Sequence, residues 1–374
     1  MKTIYDLRKE LHKNPEKGFE EFETKKIILN YLEKFENQIE ITEVLGTGLV
    51  IKYTGDPSRE DFIFYRADMD ALPITEKTNA QFESQRNGWM HACGHDVHMT
   101  ILMGILESVI ASNEKMNILF FYQPAEEGPG GADPFIKTGF LKEYNIKACM
   151  GLHVSGFYNV GEISTRPGPF FASPTEFDVQ FNGISSHGAM PHLGKDAIIA
   201  AVNYLNITYE RIFREIPNYE EFAFTIGVLR GGTRRNVIAE EAVLEGSYRV
   251  FDNETDKKIR KIIESNSKNI AGLFDLKSSV TYGASYPVLL NDANLYGEFK
   301  ETVEQMNIKF IEAEKNYTGE DFAFFSQIYP SIFFWLGCGT EKMRRPLHDG
   351  LFLPDEGCID VGVKASLSFM KKIW

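Results

Sequence analysis

The sequence predicts an α/β catalytic domain built on a mostly parallel sheet, interrupted by a small ferredoxin-like α+β domain. Three observations lead there. Nearly continuous apolar runs, "TGLVIKY", "DFIFYRAD", "MNILFFYQ" and "KACMGLHV", alternate with helical patterns, as strands buried on both faces do. From about Thr175 the pattern changes to the half-exposed alternation of "TEFDVQFNG" and "AVLEGSYRV". After Pro287 the first pattern resumes.

Taken in order, residues 3–35 read as an amphipathic helix interrupted near Asn14-Pro15, where proline cannot continue the hydrogen-bond ladder, and a second helix from about Glu20. Strands follow at residues 47–53 and 61–68, a helix from His98 to Ala111, then strands at 116–123 and 147–154. The middle of the chain runs "TEFDVQFNG", a helix from Asp196 to about Arg214, "EFAFTIGVL", "AVLEGSYRV", a charged helix from Asn253 to Leu273, and "KSSVTYGAS". That order is β-α-β-β-α-β, the split βαβ unit. The expected division is therefore residues 1–176 with 287–374 as one domain and 177–286 as an insertion. No repeat and no low-complexity segment interrupts it.

At 374 residues, 43% hydrophobic and 25% charged, the composition is that of an ordinary globular protein. A net charge of −13 argues against nucleic acid or an anionic membrane as partner, though not against a small zwitterion that meets only the local field. The N-terminus has no apolar signal-peptide core, and the late run "SIFFWLGCG" is too short to span a bilayer. Cys93, Cys149, Cys338 and Cys358 are scattered without Cys-x-x-Cys pairs, which reads as reduced thiols in a cytoplasm.

The stretch "MHACGHDVH" packs His91, Cys93, His95, Asp96 and His98 into residues 90–98 of a chain that has eight histidines and four cysteines. One loop cannot complete a zinc-like site, which takes four ligands or more from several segments. Further segments supply ligand types. "FFYQPAEEGPGGADP" ends a strand with Glu126 and Glu127 adjacent, "GLHV" ends another with His153, and "RRPLHDGLFLPDE" carries His348 in a loop. In open α/β sheets, sites lie at the carboxyl ends of strands. Adjacent glutamates there can divide the work, one holding metal and one moving protons. Each residue alone is as readily a solvated or packing side chain; together they are the ligand types of a two-metal hydrolase.

"YRADMDALP", "MHACGHD", "QPAEEGPGGA", "GLHV", "SHGAMPH", "GGTRRNVIAE", "TGEDF" and "LHDGLFLPDE" together resemble the metal-dependent amidohydrolases of the aminoacylase/carboxypeptidase superfamily, in the branch of hippurate and indole-acetyl-amino-acid hydrolases. The resemblance runs from "LRKELHKNPEKGFEEFET" to the final helix. It implies a zinc-peptidase-like catalytic domain and an inserted lid/dimerisation domain, hence a homodimer. The wording of "AEEGPGGADP" and "MHACGHDVHMT" narrows it to a deacetylase of amino-acid biosynthesis within that branch.

Carried over by position, the resemblance makes Cys93, His95, Glu127, His153 and His348 the ligands of two divalent ions, Glu126 the general base and Asp70 a supporting aspartate. His187 matches a lid histidine that donates to the substrate carbonyl, often from the partner subunit. Asn236 falls on a family motif for substrate contact; Arg234, Arg235 and Arg249 are further candidate anchors. His91 and His98 match no ligand and are expected in supporting contacts and helix packing, while Asp68 is expected to help position the loop. This chain departs from the superfamily's commoner pattern: Asp68 stands where a ligand histidine would be, and Cys93 replaces a bridging carboxylate. A thiolate is softer, so manganese, zinc, cobalt and nickel all stay open. The implied reaction is hydrolysis of an N-acyl amino acid. A broader, hippurate-like acyl range is the alternative, and a non-catalytic metal-binding protein the alternative of another class.

Overall fold

The computed structural model describes residues 2–341 and 344–374, which separate into two compact units. The first comprises residues up to Phe170 with Leu289–Glu314 and Glu320–Trp374; the second is Phe171–Val288 with Lys315–Gly319. The short return of Lys315–Gly319 to the second unit departs from the linear reading, which left it in the catalytic segment.

The first unit is built on an eight-stranded sheet. Its centre is parallel: Asn117–Gln123, Asp61–Asp68, Asn145–Asn159 and Ser331–Gly339 lie side by side in that order. These strands are buried almost throughout, which explains their unbroken apolar runs. Toward one edge the sheet turns antiparallel, through Gly48–Thr54 and Glu40–Val44. On the other flank Glu162–Thr165 pairs with Ser331–Gly339, and Lys309–Glu312 closes the edge. Register sets Asp68 opposite Gln123 at the carboxyl ends of their strands, and His153 opposite Trp335 in mid-strand.

The helix His95–Ala111 starts three residues earlier than periodicity predicts. Its N-cap, Gly94, takes a left-handed φ of 84°, and a Cβ there would sit 2.4 Å from Val154 Cγ2. Only glycine satisfies both demands, so the helix begins at once and places His95 and Asp96 in its buried first turn. Helix Ile4–Lys13 reaches the same turn. Arg8 Nε donates to Asp96 Oδ2 at 3.0 Å and His12 Nδ1 lies 2.8 Å from the same oxygen, both fully buried.

In the second unit the sheet order is Lys277–Ser285, Ser173–Asn182, Glu241–Val250, Phe222–Gly231, all antiparallel. Helices Ala197–Glu215 and Asn253–Leu273 are N-capped by Asp196 and Asp252, whose carboxylates accept first-turn amides. Phe177, Val179 and Phe181 alternate inward from Ser173–Asn182 to meet Tyr204, Leu244 and Ile263 in one core. Among the described residues no helix is long and apolar enough to cross a membrane.

Candidate metal centre

The carboxyl ends of the central strands converge on one cluster. Cys93 lies just before helix His95–Ala111, and His95 opens it. Glu126 and Glu127 follow strand Asn117–Gln123, and His153 sits within Asn145–Asn159. His348 comes from the loop after Ser331–Gly339, in a left-handed conformation (φ 64°), its amide tied to Ala92 O at 2.9 Å. Ligand-type atoms of Cys93, His95 and His153 lie within 4.8 Å of one another, as do those of Cys93, Glu127 and His348, and of His95, Glu126 and Glu127. The structure thus brings together all five residues expected as ligands and the expected base.

The protons on the imidazoles follow from their partners. His95 Nδ1 lies 2.8 Å from Asp70 O, and His153 Nδ1 lies 2.8 Å from Val154 O. A carbonyl oxygen only accepts, so each Nδ1 carries hydrogen, and Nε2 is the nitrogen each ring turns to the cluster and would coordinate through once free of a proton. His153 Nε2 and His348 Nε2 each lie 3.3 Å from Cys93 Sγ, and His348 Nε2 lies 3.3 Å from Glu127 Oε1. His95 Nε2 and Glu127 Oε1 are buried without a hydrogen-bond partner. These atoms converge on one space, and the donor set of thiol, imidazole and carboxylate fits divalent transition metals.

Electrostatics agree. Burial alone would lower the His95 pKa, but Asp68, Asp70 and Glu127 outweigh it and lift it to about 10. Burial also works against ionised Glu127, yet His348 and His95 hold its pKa down at about 2. His153, buried beside His98, falls to about 3, so it stays neutral. Burial and the carboxylates of Glu127 and Glu126 push the Cys93 thiol well up. The field inside the cluster attracts positive charge.

Asp70 acts on the site through the backbone. Its carboxylate oxygens accept the amides of Glu126 and Glu127, each at 3.0 Å, while its carbonyl orients His95. Asp68 accepts from His98 Nδ1 at 2.6 Å and from Arg66 at 2.7 Å. The amide of Val154 donates to His98 Nε2 at 2.9 Å. Both His98 nitrogens are thus engaged, which leaves it a supporting group although it clusters with Asp68 and His95. His91 is buried and neutral, its pKa lowered to about 3 by burial, and it packs 6.3 Å from the His12 ring.

Sequence reasoning missed the second ring of charge. Arg66 is 1% exposed and pairs with Asp68, Glu320 and Asp321. Asp321 Oδ2 also accepts from Gln123 Nε2 and from the amides of Gly131 and Ala132, fixing the turn that carries the glutamates. Burial, reinforced by Glu320, Glu127 and Asp321, drives the Glu126 pKa well above its ordinary value. An arginine inside the apolar run "DFIFYRAD" was the available signal, because a charge there needs buried partners.

The second unit has its own pairing. His187 bridges Val237 in antiparallel fashion, and the Gly188 amide donates to Asn236 O at 2.8 Å, so the two loops run together. Both residues are exposed. The Ala189 amide donates to His187 Nδ1 at 3.1 Å, so Nδ1 acts as acceptor and the hydrogen of the ring is on Nε2, which is left as a donor. Arg234 and Arg235 are exposed as well. Arg249 is not brought to this pair: it is in register with Pro174, eight residues along the sheet from the Glu241–Asn182 level, or roughly 26 Å. Its guanidinium donates to Tyr248 O.

Residues 64–372 match peptidase family M20/M25/M40. The chain is 37% identical to N-acetyldiaminopimelate deacetylase of Bacillus pumilus, over 99% of this chain and 97% of that one. It is 39% identical to the enzyme of the same name from Bacillus subtilis, over 97% and 96%. Among solved structures, a Bacillus subtilis protein described as a dinuclear metal binding peptidase from the M20 family superposes with a TM-score of 0.83. It is 30% identical, with 98% of this chain and 97% of that one covered.

Proposed function

We propose an activity from one premise: this chain belongs to peptidase family M20/M25/M40. It is a metal-dependent amidohydrolase that removes the acetyl group from N-acetyl-L,L-diaminopimelate, giving L,L-diaminopimelate and acetate. The observation that carries the chemistry is the convergence of Cys93, His95, Glu127, His153 and His348 with Glu126 beside them. In this reading those five residues hold two divalent ions, of manganese, zinc, cobalt or nickel type. Ions held there would supply Lewis acidity for the amide carbonyl and make attacking water more acidic.

The chain's own residues do the rest. Glu126 takes a proton from water as its oxygen bonds to the acetyl carbon. It passes that proton to the nitrogen as the C–N bond breaks, so the amine leaves neutral with acetic acid, whose remaining proton, the second of the attacking water, is then lost to give acetate and an equivalent of acid. Burial and the carboxylates around Glu126 raise its affinity for that proton, while Arg66 works in the opposite direction. Asp70 holds the turn on which the base stands.

The donor Nε2–H of His187 suits the developing oxyanion, and the neighbouring Asn236 suits the polar substrate. A homodimer through the second unit is part of the reading. It is supported by the exposed apolar side chains Ile199, Val202, Phe213 and Leu229 and by the open edge of strand Phe222–Gly231. The deciding experiment is a panel on metal-reconstituted protein, with acetate release from N-acetyl-L,L-diaminopimelate set against benzoate release from hippurate. Preference for hippurate would replace the substrate named here with the broader acyl range. Asn236→Ala is expected to raise KM or lower kcat/KM for the acetyl substrate, and no change in either removes it as a contact.

Metal uptake has a sign. The metal-free Cys93 thiol is held protonated by burial and by Glu127, and His95 has a pKa of about 10, yet both must lose a proton to coordinate. Binding is therefore expected to release protons at neutral pH and to tighten as pH rises. Titration calorimetry in two buffers of different ionisation enthalpy reads this directly. Cys93 should resist alkylation when metal is bound and react after chelation; equal labelling in both states takes it off the ligand set.

A further inference from the structure

The turn that carries Glu126 is strained and held from an unexpected side. Ala125, fully buried, has a φ of 58°, a left-handed conformation that a side chain disfavours. Its amide donates to Glu21 Oε1 at 2.9 Å. Glu21 itself is fully buried, at the start of helix Phe22–Leu32, and its other oxygen accepts from the Thr47 hydroxyl at 2.6 Å. Burying a carboxylate is costly unless both oxygens are used, and here both are. Gly18 backs the same turn so closely that a Cβ on it would lie 2.8 Å from the Ala125 Cα and Cβ. Glu16, two residues earlier, accepts the Ala71 amide on its carbonyl at 2.8 Å. Its carboxylate fastens Thr24 and Arg86.

Three consecutive amides, of Ala125, Glu126 and Glu127, are thus each caught by a carboxylate: the first by Glu21, the others by Asp70. We propose that Glu21 is a positioning residue for the general base, holding Ala125 left-handed so that Glu126 and Glu127 diverge toward their separate tasks. The segment Glu16–Glu21 contains no residue of the metal cluster; it acts on the site only through main-chain contacts. This inference rests on the assignment of Glu126 as the base.

The test uses the full-length, metal-loaded protein and N-acetyl-L,L-diaminopimelate. Glu21→Leu removes the acceptor; Glu21→Gln keeps an oxygen able to take the Ala125 amide. In Glu21→Leu, kcat is expected to fall about ten- to a hundredfold, the scale of a small misplacement of a catalytic group. KM and metal content should hold, and amide exchange should quicken in residues 125–128 but not in strand Asn145–Asn159. Glu21→Gln is expected to stay close to the parent in kcat and exchange. An unchanged kcat in Glu21→Leu, equal damage in Glu21→Gln, or exchange quickened throughout the unit overturns the proposal. If Glu21→Leu does not fold, Gly18→Ala, which presses on Ala125 with the carboxylate intact, decides: lowered kcat supports the proposal and unchanged kcat overturns it. Glu126→Gln run alongside separates the two claims. If it remains active, the base assignment fails; if it is inactive while Glu21→Leu is unimpaired, only the positioning role fails.

Discussion

Glu126→Gln is expected to lose roughly two to four orders of magnitude in kcat while keeping its metal, the range seen when a general base is removed. Glutamine has nearly the same shape, so Asp70 can still hold the Glu126 amide and Glu127 remains free for coordination. What disappears is the ability to accept a proton. The same substitution should raise the melting temperature of the metal-free protein at neutral pH. Burial, with Glu320, Glu127 and Asp321 nearby, raises the folded-state pKa of Glu126. A carboxyl group whose pKa is raised on folding costs stability once pH exceeds its unfolded value, because ionising the buried group is opposed. Glutamine has no such charge, so the gain should grow as pH rises from the unfolded-state value through the folded one. Calorimetric melts with and without chelator, beside metal analysis and turnover, check both halves. Near-parental activity with metal bound would remove Glu126 as the base.

His187→Ala is expected to bind metal normally and turn over at least about a hundredfold more slowly, since one oxyanion donor is worth roughly 3 kcal/mol in the transition state. The side chain is exposed and its Nδ1 is engaged by the Ala189 amide, so truncation should cost little stability. Mixing His187→Ala with Glu126→Gln distinguishes the source of the donor. If His187 serves the active site of the partner subunit, mixed dimers regain activity, because one of their two sites has both groups intact. If subunit exchange is verified and activity stays absent, His187 works within its own chain or not at all.

The sequence was most legible where one local rule and the tertiary context agree. Helix Asn253–Leu273 and strand Lys277–Ser285 were predicted to the residue because Asp252 caps the helix and a half-buried alternation follows it. The short strands Glu162–Thr165 and Lys309–Glu312 carry no comparable pattern; they exist because each finds the other beside an already formed sheet. The metal cluster was legible because its ligand types are rare and stand at strand ends. Apart from Asp68 and Asp70, its supporting carboxylates were not. Glu21, Glu320 and Asp321 look like surface charge in "KGFEEFE" and "TGEDF", and only the fold reveals that they are buried against amides or Arg66. Arg249, a candidate anchor from the sequence, stands at the Pro174 level of the sheet, away from the loops of His187 and Asn236.

The imidazoles of His95 and His153 each turn Nδ1 to a main-chain carbonyl, that of Asp70 and that of Val154. Anyone transplanting this centre into another scaffold would therefore gain little by copying residues alone. The graft would need the backbone paths through Asp70 and Val154, to within hydrogen-bonding tolerance, before the same histidines presented their Nε2 atoms inward.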